Sequence, residues 1–254
     1  MTTSSDPTPR ERRPRELEVH VYVFRDRVDA GRRLGQRLAR MPLEDPVVLG
    51  LPRGGVPVAA QVARRLGAPL EVIVVRKLGV PSQPELAMGA IGEGGTRILD
   101  EGIVRAARVD ERQLAQVEQR ERAVLDKRVG RLRRGRRRVD LTGRTAVIVD
   151  DGIATGATAR VACLVARALG ARRVVVAAPV GPPHVEQQLP EADVVVCLER
   201  PWRFRAVGGV YDDFEPTTDD EVARILAETA GQAPPEDPDD GGTLRSHTSQ
   251  GPDH

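Results

Sequence analysis

Short runs of apolar residues, each the length of one β-strand, constrain the fold of this chain more than any other feature. The residues within a run are almost all apolar rather than alternating with polar ones, which is typical of strands buried on both faces. Amphipathic segments with helical spacing separate the runs, so the pattern predicts an α/β fold: an open, mainly parallel sheet with helices on both faces. We predict strands at residues 46–51, 70–75, 145–149, 173–179 and 193–198, and helices at residues 26–40, 56–66, 110–132, 157–169 and 219–228.

The segment between the second strand and the long helix has a different pattern. Residues 76–84 are rich in turn formers, while residues 86–91 and 96–99 flank a glycine-rich stretch and predict a β-hairpin. We interpret the arginine-rich residues 131–138 as a solvated loop, because a nucleic-acid patch would need more basic surface around it. The long helix carries only a thin apolar stripe, which consists of Leu114, Val117, Val124, Leu125 and Leu132.

Composition bounds the class of protein. Hydrophobic residues make up 40% of the 254, and no apolar stretch is long enough to span a bilayer. Lys and Arg number 39 against 37 Asp and Glu, and a net charge of +2 argues against a nucleic-acid partner. Cys163 and Cys197 lack metal-ligand spacing, and the polar start of the chain is no secretory signal, so we predict reduced thiols in a cytoplasmic protein.

The two ends of the chain differ from its body. Residues 1–16 and 231–254 contain almost no apolar side chains, so they cannot bury enough surface to offset the entropy of ordering. We therefore predict two disordered tails around one domain at residues 17–230.

The chemistry of the chain is concentrated at the end of the third predicted strand. Four apolar residues lead into two adjacent carboxylates, Asp150 and Asp151, and a tight turn follows before a helix begins. Ligands of open parallel sheets bind beyond the carboxyl ends of the strands, where this pattern places both carboxylates. The backbone N–H groups at the start of the helix form an anion site suited to a phosphate. The residues around that site are Ala154, Thr155, Gly156, Ala157 and Thr158.

Two adjacent carboxylates repel a phosphate but accept hydrogen bonds from a vicinal diol. A phosphate and a diol together describe a ribose 5-phosphate. Other phosphate motifs fit worse, because the chain has no Gly-Lys pair for a Walker A loop and no G-x-G-x-x-G at this turn. A helix-capping role would account for one acidic residue, but it accounts poorly for the whole run.

Residues 147–158 resemble the signature with which type I phosphoribosyltransferases bind 5-phosphoribosyl-1-pyrophosphate (PRPP). The resemblance extends over about residues 20–225. It implies that Asp150 and Asp151 fix the ribose hydroxyls and that residues 154–158 hold the 5-phosphate.

The same resemblance implies roles for two further loops. Arg53, Gly54 and Gly55 stand where the family has its pyrophosphate loop, although an ordinary strand-to-helix turn would read the same way. Residues 76–95 stand where the family has a mobile loop that closes over the reaction, with Arg76 and Lys77 as its cations. The alternative for those cations is a pair of solvated charges.

The segments Arg-Lys-Leu-Gly at residues 76–79 and Glu-Leu-Ala-Met-Gly-Ala at residues 85–90 are similar to those of an uncharacterised bacterial branch of the family. That branch has no settled base specificity. In the wider family the base lies under a variable hood, which corresponds here to residues 201–216. Trp202 and Phe204 are the candidates for stacking on a base, and a small aromatic core is an equal alternative for them. For Tyr211 and Phe214 that aromatic core is at least as well supported.

The resemblance implies transfer of 5-phosphoribosyl from PRPP to a nitrogen nucleophile, a nucleobase above all, with Asp150, Asp151, Arg76 and Lys77 as catalytic residues. Mg²⁺ would be held mainly through PRPP, with no protein ligand assigned. The partners are then PRPP and a small acceptor, and the sequence leaves a homodimer open. Two other readings remain: a PRPP- or nucleotide-sensing regulator on the same fold, and another reaction on a phosphorylated sugar.

Overall fold

The computed structural model describes residues 23–230. Both predicted tails and residues 17–22 of the predicted domain therefore lie outside the described residues. The elements in chain order are α1 (Arg27–Leu38), β1 (Pro46–Gly50), α2 (Gly55–Leu66), β2 (Leu70–Val72), β3 (Val75–Val80), β4 (Gln83–Gly92), β5 (Arg97–Leu99), α3 (Glu101–Ala106), α4 (Glu111–Arg133), β6 (Thr145–Val149), α5 (Ala157–Ala168), β7 (Arg173–Val180), β8 (Val194–Glu199) and α6 (Asp219–Ala230).

The central sheet has five strands in the order β2-β1-β6-β7-β8, and all of its pairs are parallel. The predicted α/β architecture is confirmed. Strand β6 shows why the apolar runs are continuous: Val147 and Val149 pack into the core on one face, while Ala146 and Ile148 pack into the core on the other. Residues from α1, α2, α4 and α6 cover the first face, and residues from α5 cover the second.

A second sheet replaces the turns predicted at residues 76–84. Strands β3, β4 and β5 form an antiparallel sheet, which confirms the predicted hairpin but corrects the turn-rich segment before it. Leu78 and Val80 are buried while Lys77 is exposed, so β3 does alternate as a half-buried strand should. The sequence does not show this alternation clearly, because Gly79 and the register shifts next to it interrupt the strand. The predicted strand at 70–75 accordingly ends at Val72.

Helix α4 has the predicted position and a clear start. The Asp110 carboxylate accepts a hydrogen bond from the Gln113 backbone N–H at 2.7 Å, and Gln113 Oε1 accepts one from Asp110 N at 3.1 Å, which is a capping box. The predicted apolar stripe is buried except for Val124, which is 43% exposed and does not belong to it.

The arginine-rich segment is the predicted solvated loop only in part, because residues 134–138 are outside regular structure and mostly exposed while the segment also makes specific contacts. Its first residues complete α4, and Arg133 is buried between two carboxylates, with Nη1 2.5 Å from Glu93 and Nε 3.3 Å from Glu71. Arg134 pairs with Asp220 at the start of α6. The segment therefore joins the end of α4 to the sheet and to the last helix.

Candidate active site

The carboxyl ends of β1 and β6 lie side by side, because the two strands pair in parallel with Gly50 opposite Val149. The turn after β1 therefore meets the aspartate pair after β6. A Cβ atom on Gly54 would lie 1.9 Å from Asp151 Oδ2, and one on Gly55 would lie 2.6 Å from the carbonyl oxygen of Val149. Neither position has room for a side chain, so the two loops assigned to pyrophosphate and ribose are in contact.

Asp151 is held from two sides. Arg27 Nε donates to its Oδ2 at 2.8 Å, and the Tyr211 hydroxyl donates to its backbone oxygen at 2.6 Å. The Arg27 guanidinium also lies 3.8 Å from the centre of the Phe214 ring and donates to the backbone oxygen of Glu215 at 2.7 Å. These contacts fix the position of Asp151.

Asp150 has weaker support. Its Oδ1 accepts the Asp151 backbone N–H at 2.9 Å, and no cation of the described chain lies within ion-pair distance of it. Burial, together with the negative charge of Asp151, raises the pKa of Asp150 to about 8. Burial raises the pKa of Asp151 as well, and the hydrogen bond from Arg27 opposes that rise. The pair is thus short of positive charge, as a site for hydroxyl donors would be.

The Asp150→Asn variant should be more stable than the wild type at pH 8 but not near pH 4. Between the ordinary pKa of 3.8 and the folded pKa of about 8, the native state binds more protons than the unfolded chain, so wild-type stability falls as pH rises through that window. Asparagine does not titrate, so we expect the free energy of unfolding of the variant to exceed that of the wild type by about 1–3 kcal/mol at pH 8. This is the typical cost of desolvating a buried polar group. Urea denaturation at several pH values measures it. Asp126→Asn, an exposed position on α4, is the control, and an equal gain at pH 4 and pH 8 would contradict the assignment.

The start of α5 has the geometry of an anion site. Gly156 precedes the helix with φ +72°, no side chain caps the helix, and its first turn contains no acidic residue. The first backbone N–H groups therefore remain available to an anion. Thr155 and Thr158 are exposed beside them. An uncapped helix start thus lies where the sequence predicts the phosphate loop, and phosphate binding there stays a prediction.

A cavity of about 1040 Å³ adjoins these loops. Its wall includes Pro52 from the turn after β1, Thr155 and Thr158 from the start of α5, and Arg76 and Lys77 from β3. The face of α4 that lines it comprises Gln113, Gln116, Val117, Arg120, Glu121 and Arg128. Elements from four parts of the chain therefore converge on one space large enough for a phosphorylated sugar and a second molecule.

Comparison with known proteins identifies the kind of domain that carries this site. Residues 25–214 match the family model described as the phosphoribosyl transferase domain. The chain belongs to this family. The resemblance to type I phosphoribosyltransferases found at residues 147–158 is thereby confirmed at the level of the family.

Two curated relatives and one solved structure are similar to this chain over most of its length. Two proteins of Mycobacterium tuberculosis, from strains CDC 1551 / Oshkosh and ATCC 25618 / H37Rv, are each 57% identical over 207 residues, and both have phosphoribosyl transferase as a provisional name. The match covers 81% of this chain and 47% of each relative, so the chain spans about half the length of these curated relatives. The crystal structure of TT1426 from Thermus thermophilus is 49% identical, with a TM-score of 0.75, over 81% of this chain and 98% of that one.

The two predicted loop cations lie on a strand of the phosphoribosyl transferase domain, and both are paired. Arg76 donates to Glu121 Oε2 from Nε at 2.9 Å and from Nη2 at 2.5 Å. Lys77 Nζ contacts Glu85 Oε2 at 2.9 Å, so Glu85, which had no predicted role, is its partner. Arg76 and Lys77 line the cavity, whereas the Arg53 side chain is exposed and is not part of the wall.

The predicted base-stacking residues lie elsewhere. Trp202 is 85% exposed, Phe204 packs at the edge of a small aromatic core, and neither lines the cavity. Tyr211 stacks on Phe214 with 4.9 Å between ring centres, and Phe24 lies 5.5 Å from Tyr211. The core interpretation therefore holds for Tyr211 and Phe214, while base stacking by Trp202 and Phe204 stays a prediction.

Two features of the site were missed in the sequence. Arg27, the partner of Asp151, lies 124 residues away from it, and the sequence offers no signal that joins them. The polar face of α4 has no role in the sequence-based predictions, although the helical spacing of Gln113, Glu121 and Arg128 is a weak signal of a second functional face.

The described residues show no protein-only metal cluster, and both cysteines have raised pKa values. Residues 23–230 contain no cluster of three or more His, Cys, Asp or Glu side chains that could hold a metal ion. Both cysteines are free, and burial raises the pKa of Cys163 to about 12 and that of Cys197 to about 11. No helix within this range is long and apolar enough to cross a membrane.

Proposed function

We propose that this chain transfers the 5-phosphoribosyl group of PRPP to a nitrogen nucleophile, with release of pyrophosphate. One observation carries the proposal: the glycine turn after β1, the aspartate pair after β6 and the uncapped start of α5 meet at one sheet edge beside the cavity. A diol acceptor with an anion site on each side matches PRPP, which carries phosphates at both ends of its ribose.

In this proposal the loop after β6 holds the ribose 5-phosphate end of PRPP. The start of α5 binds the 5-phosphate through its N–H groups and the hydroxyls of Thr155 and Thr158. Asp150 and Asp151 accept hydrogen bonds from the ribose hydroxyls. As the C1–O bond breaks, positive charge develops on the ribose ring, and the two carboxylates stabilise that charge more than they stabilise the neutral ground state.

The pyrophosphate end is held by the turn after β1 and by β3. In this proposal the backbone N–H groups of Arg53 and Gly54 would donate to the pyrophosphate, because the Gly55 N–H already donates to the Leu51 oxygen at 3.0 Å. Arg53, Arg76 and Lys77 supply cations to the departing pyrophosphate, whose negative charge grows as the bond breaks. Arg76 and Lys77 must exchange Glu121 and Glu85 for the pyrophosphate when PRPP binds.

Magnesium enters this proposal through the substrate. The described residues hold no three-ligand cluster, so the ion would be held by pyrophosphate oxygens and water, an arrangement common for Mg²⁺ at substrate phosphates. Bound in that way, it would neutralise part of the pyrophosphate charge.

The test is a substrate screen on the purified chain. PRPP and Mg²⁺ are incubated with purines, pyrimidines and simple amines, and pyrophosphate release is followed. Release that depends on one class of acceptor supports the proposal and names the acceptor class.

A regulatory role is the second candidate, because Arg76 and Lys77, two of the cations that line the cavity, are already paired with carboxylates. With Arg76 paired to Glu121 and Lys77 to Glu85, the cleft could bind PRPP as a signal without catalysing its reaction. Tight PRPP binding by the wild type without pyrophosphate release from any acceptor would favour this reading over transfer.

The Lys77→Ala variant separates the two readings. In an enzyme we expect kcat to fall at least ~10-fold while the Kd for PRPP changes less than ~3-fold. The reason is that the negative charge of the pyrophosphate, which the lysine stabilises, is largest when the C1–O bond breaks. In a sensor the substitution changes affinity alone. Steady-state kinetics and direct PRPP titration measure both. Lys127→Ala, the other lysine of the chain and exposed on α4, is the matched control.

A further inference from the structure

Arg128 differs from other arginines of α4 in its surroundings. Arg120 contacts Glu121, Arg122 contacts Glu118, and Arg133 lies between Glu71 and Glu93. Arg128 is half-buried and lines the cavity, and no carboxylate of residues 23–230 lies within ion-pair distance of it. A half-buried guanidinium without a paired anion is costly, and such a cation commonly has a ligand.

The position of Arg128 indicates which end of the site it serves. Its Nη2 donates to the backbone oxygen of Pro52 at 3.4 Å, in the turn after β1. Arg53 and Arg76 are near enough that their charges, after burial, contribute to lowering the pKa of Arg128, and Asp219 opposes that effect. Arg53 and Arg76 are therefore close enough to Arg128 to repel it, and an anion that binds near these charges relieves the repulsion.

We propose that Arg128 is a further pyrophosphate-binding residue, so that α4 forms a wall of the cleft. The inference rests on the proposed function. A guanidinium presents parallel N–H donors that match two phosphate oxygens. The neighbouring Arg76 already has Glu121 as its partner, so Arg128 is the cation of this wall that a pyrophosphate can reach without displacing a carboxylate.

A role in direct binding differs from a role in holding the turn. The turn after β1 touches the aspartate pair, since Gly54 has no room for even a Cβ beside Asp151. A displaced turn would therefore disturb the ribose end too. Loss of a direct contact would weaken only ligands that carry a pyrophosphate.

The experiment compares Arg128→Met with Arg131→Met. Arg131 lies one turn further along α4, is exposed and is not part of the cavity wall, and its loss changes the net charge equally. PRPP, ribose 5-phosphate and inorganic pyrophosphate, each with Mg²⁺, are titrated calorimetrically into both variants and the wild type. We expect Arg128→Met to lower the affinity for PRPP and for pyrophosphate by about 10–100-fold, the range for hydrogen bonds to charged groups. The affinity of Arg128→Met for ribose 5-phosphate should stay within about 2-fold of the wild-type value. Arg131→Met should bind all three ligands with wild-type affinity.

Other outcomes are informative in different ways. Unchanged PRPP affinity in Arg128→Met, or equal loss for all three ligands, overturns the inference while the proposed function stands. Wild type that binds neither PRPP nor ribose 5-phosphate overturns the proposed function itself. If Arg128→Met does not fold, Arg128→Lys provides the test, because lysine keeps the charge but lacks the paired N–H donors of the guanidinium. Its affinity for pyrophosphate should be about 3–10-fold lower than that of the wild type, with the affinity for ribose 5-phosphate unchanged. An Arg128→Lys variant that binds pyrophosphate as tightly as the wild type would overturn the inference.

Discussion

Replacing Gly156 with valine is expected to abolish binding of both ribose 5-phosphate and PRPP, by at least ~100-fold. Gly156 has φ +72°, a conformation that a β-branched residue rarely adopts, and its Cβ would lie 3.1 Å from Leu189 Cδ2. The chain must therefore change conformation at the point where the first N–H groups of α5 are presented. Calorimetric titration with both ligands measures the loss.

A matched glycine separates lost binding from lost folding. Gly143 has φ +73° with open space around it, in the turn that precedes β6 at the edge of the sheet opposite the site. Gly143→Val should therefore lower the melting temperature through the same backbone strain but keep the affinity for ribose 5-phosphate. Unchanged ribose 5-phosphate affinity in Gly156→Val would place the phosphate site elsewhere in the cleft.

The sheet was predictable because its strands are buried on both faces. Residues 146–149 are all apolar, and they occupy two cores at once, so the run identified a central strand and located the aspartate pair at its end. Strand β3 was not predictable in the same way. It belongs to a half-exposed sheet, and glycine with two register shifts interrupts its alternation.

The chemistry of the site was only partly local in sequence. The phosphate loop and the aspartates lie within nine residues, 150–158, and one strand-to-helix turn fixes their geometry. Arg27 contacts Asp151 from a helix whose own pattern carries no sign of the site, and Arg128 lines the cavity from a polar face of α4. In α4 just four side chains are buried, Leu114, Val117, Leu125 and Leu132, so its polar faces look alike until the hairpin packs beside one of them.

The aspartate pair should tolerate substitution in the fold while losing its chemistry. At about pH 9, above the raised pKa of Asp150, we expect Asp150→Asn and Asp151→Asn each to lower kcat/KM for PRPP about 10–100-fold, because each then removes a charged acceptor for a ribose hydroxyl. The double variant should lose at least ~1000-fold. Pyrophosphate release and direct PRPP titration measure these effects, with Asp126→Asn as the exposed control.

The effects on stability make this pair of variants decisive. Asp150 is destabilising at neutral pH, because burial and the charge of Asp151 raise its pKa, so its replacement should stabilise the protein. Burial also raises the pKa of Asp151, but the Arg27 hydrogen bond at 2.8 Å opposes that rise, so its replacement should stabilise the protein less. If both variants lose activity without a fall in melting temperature, unfolding cannot be the cause, and the loss belongs to the ribose site. Full activity in the double variant would instead remove the aspartates from that site.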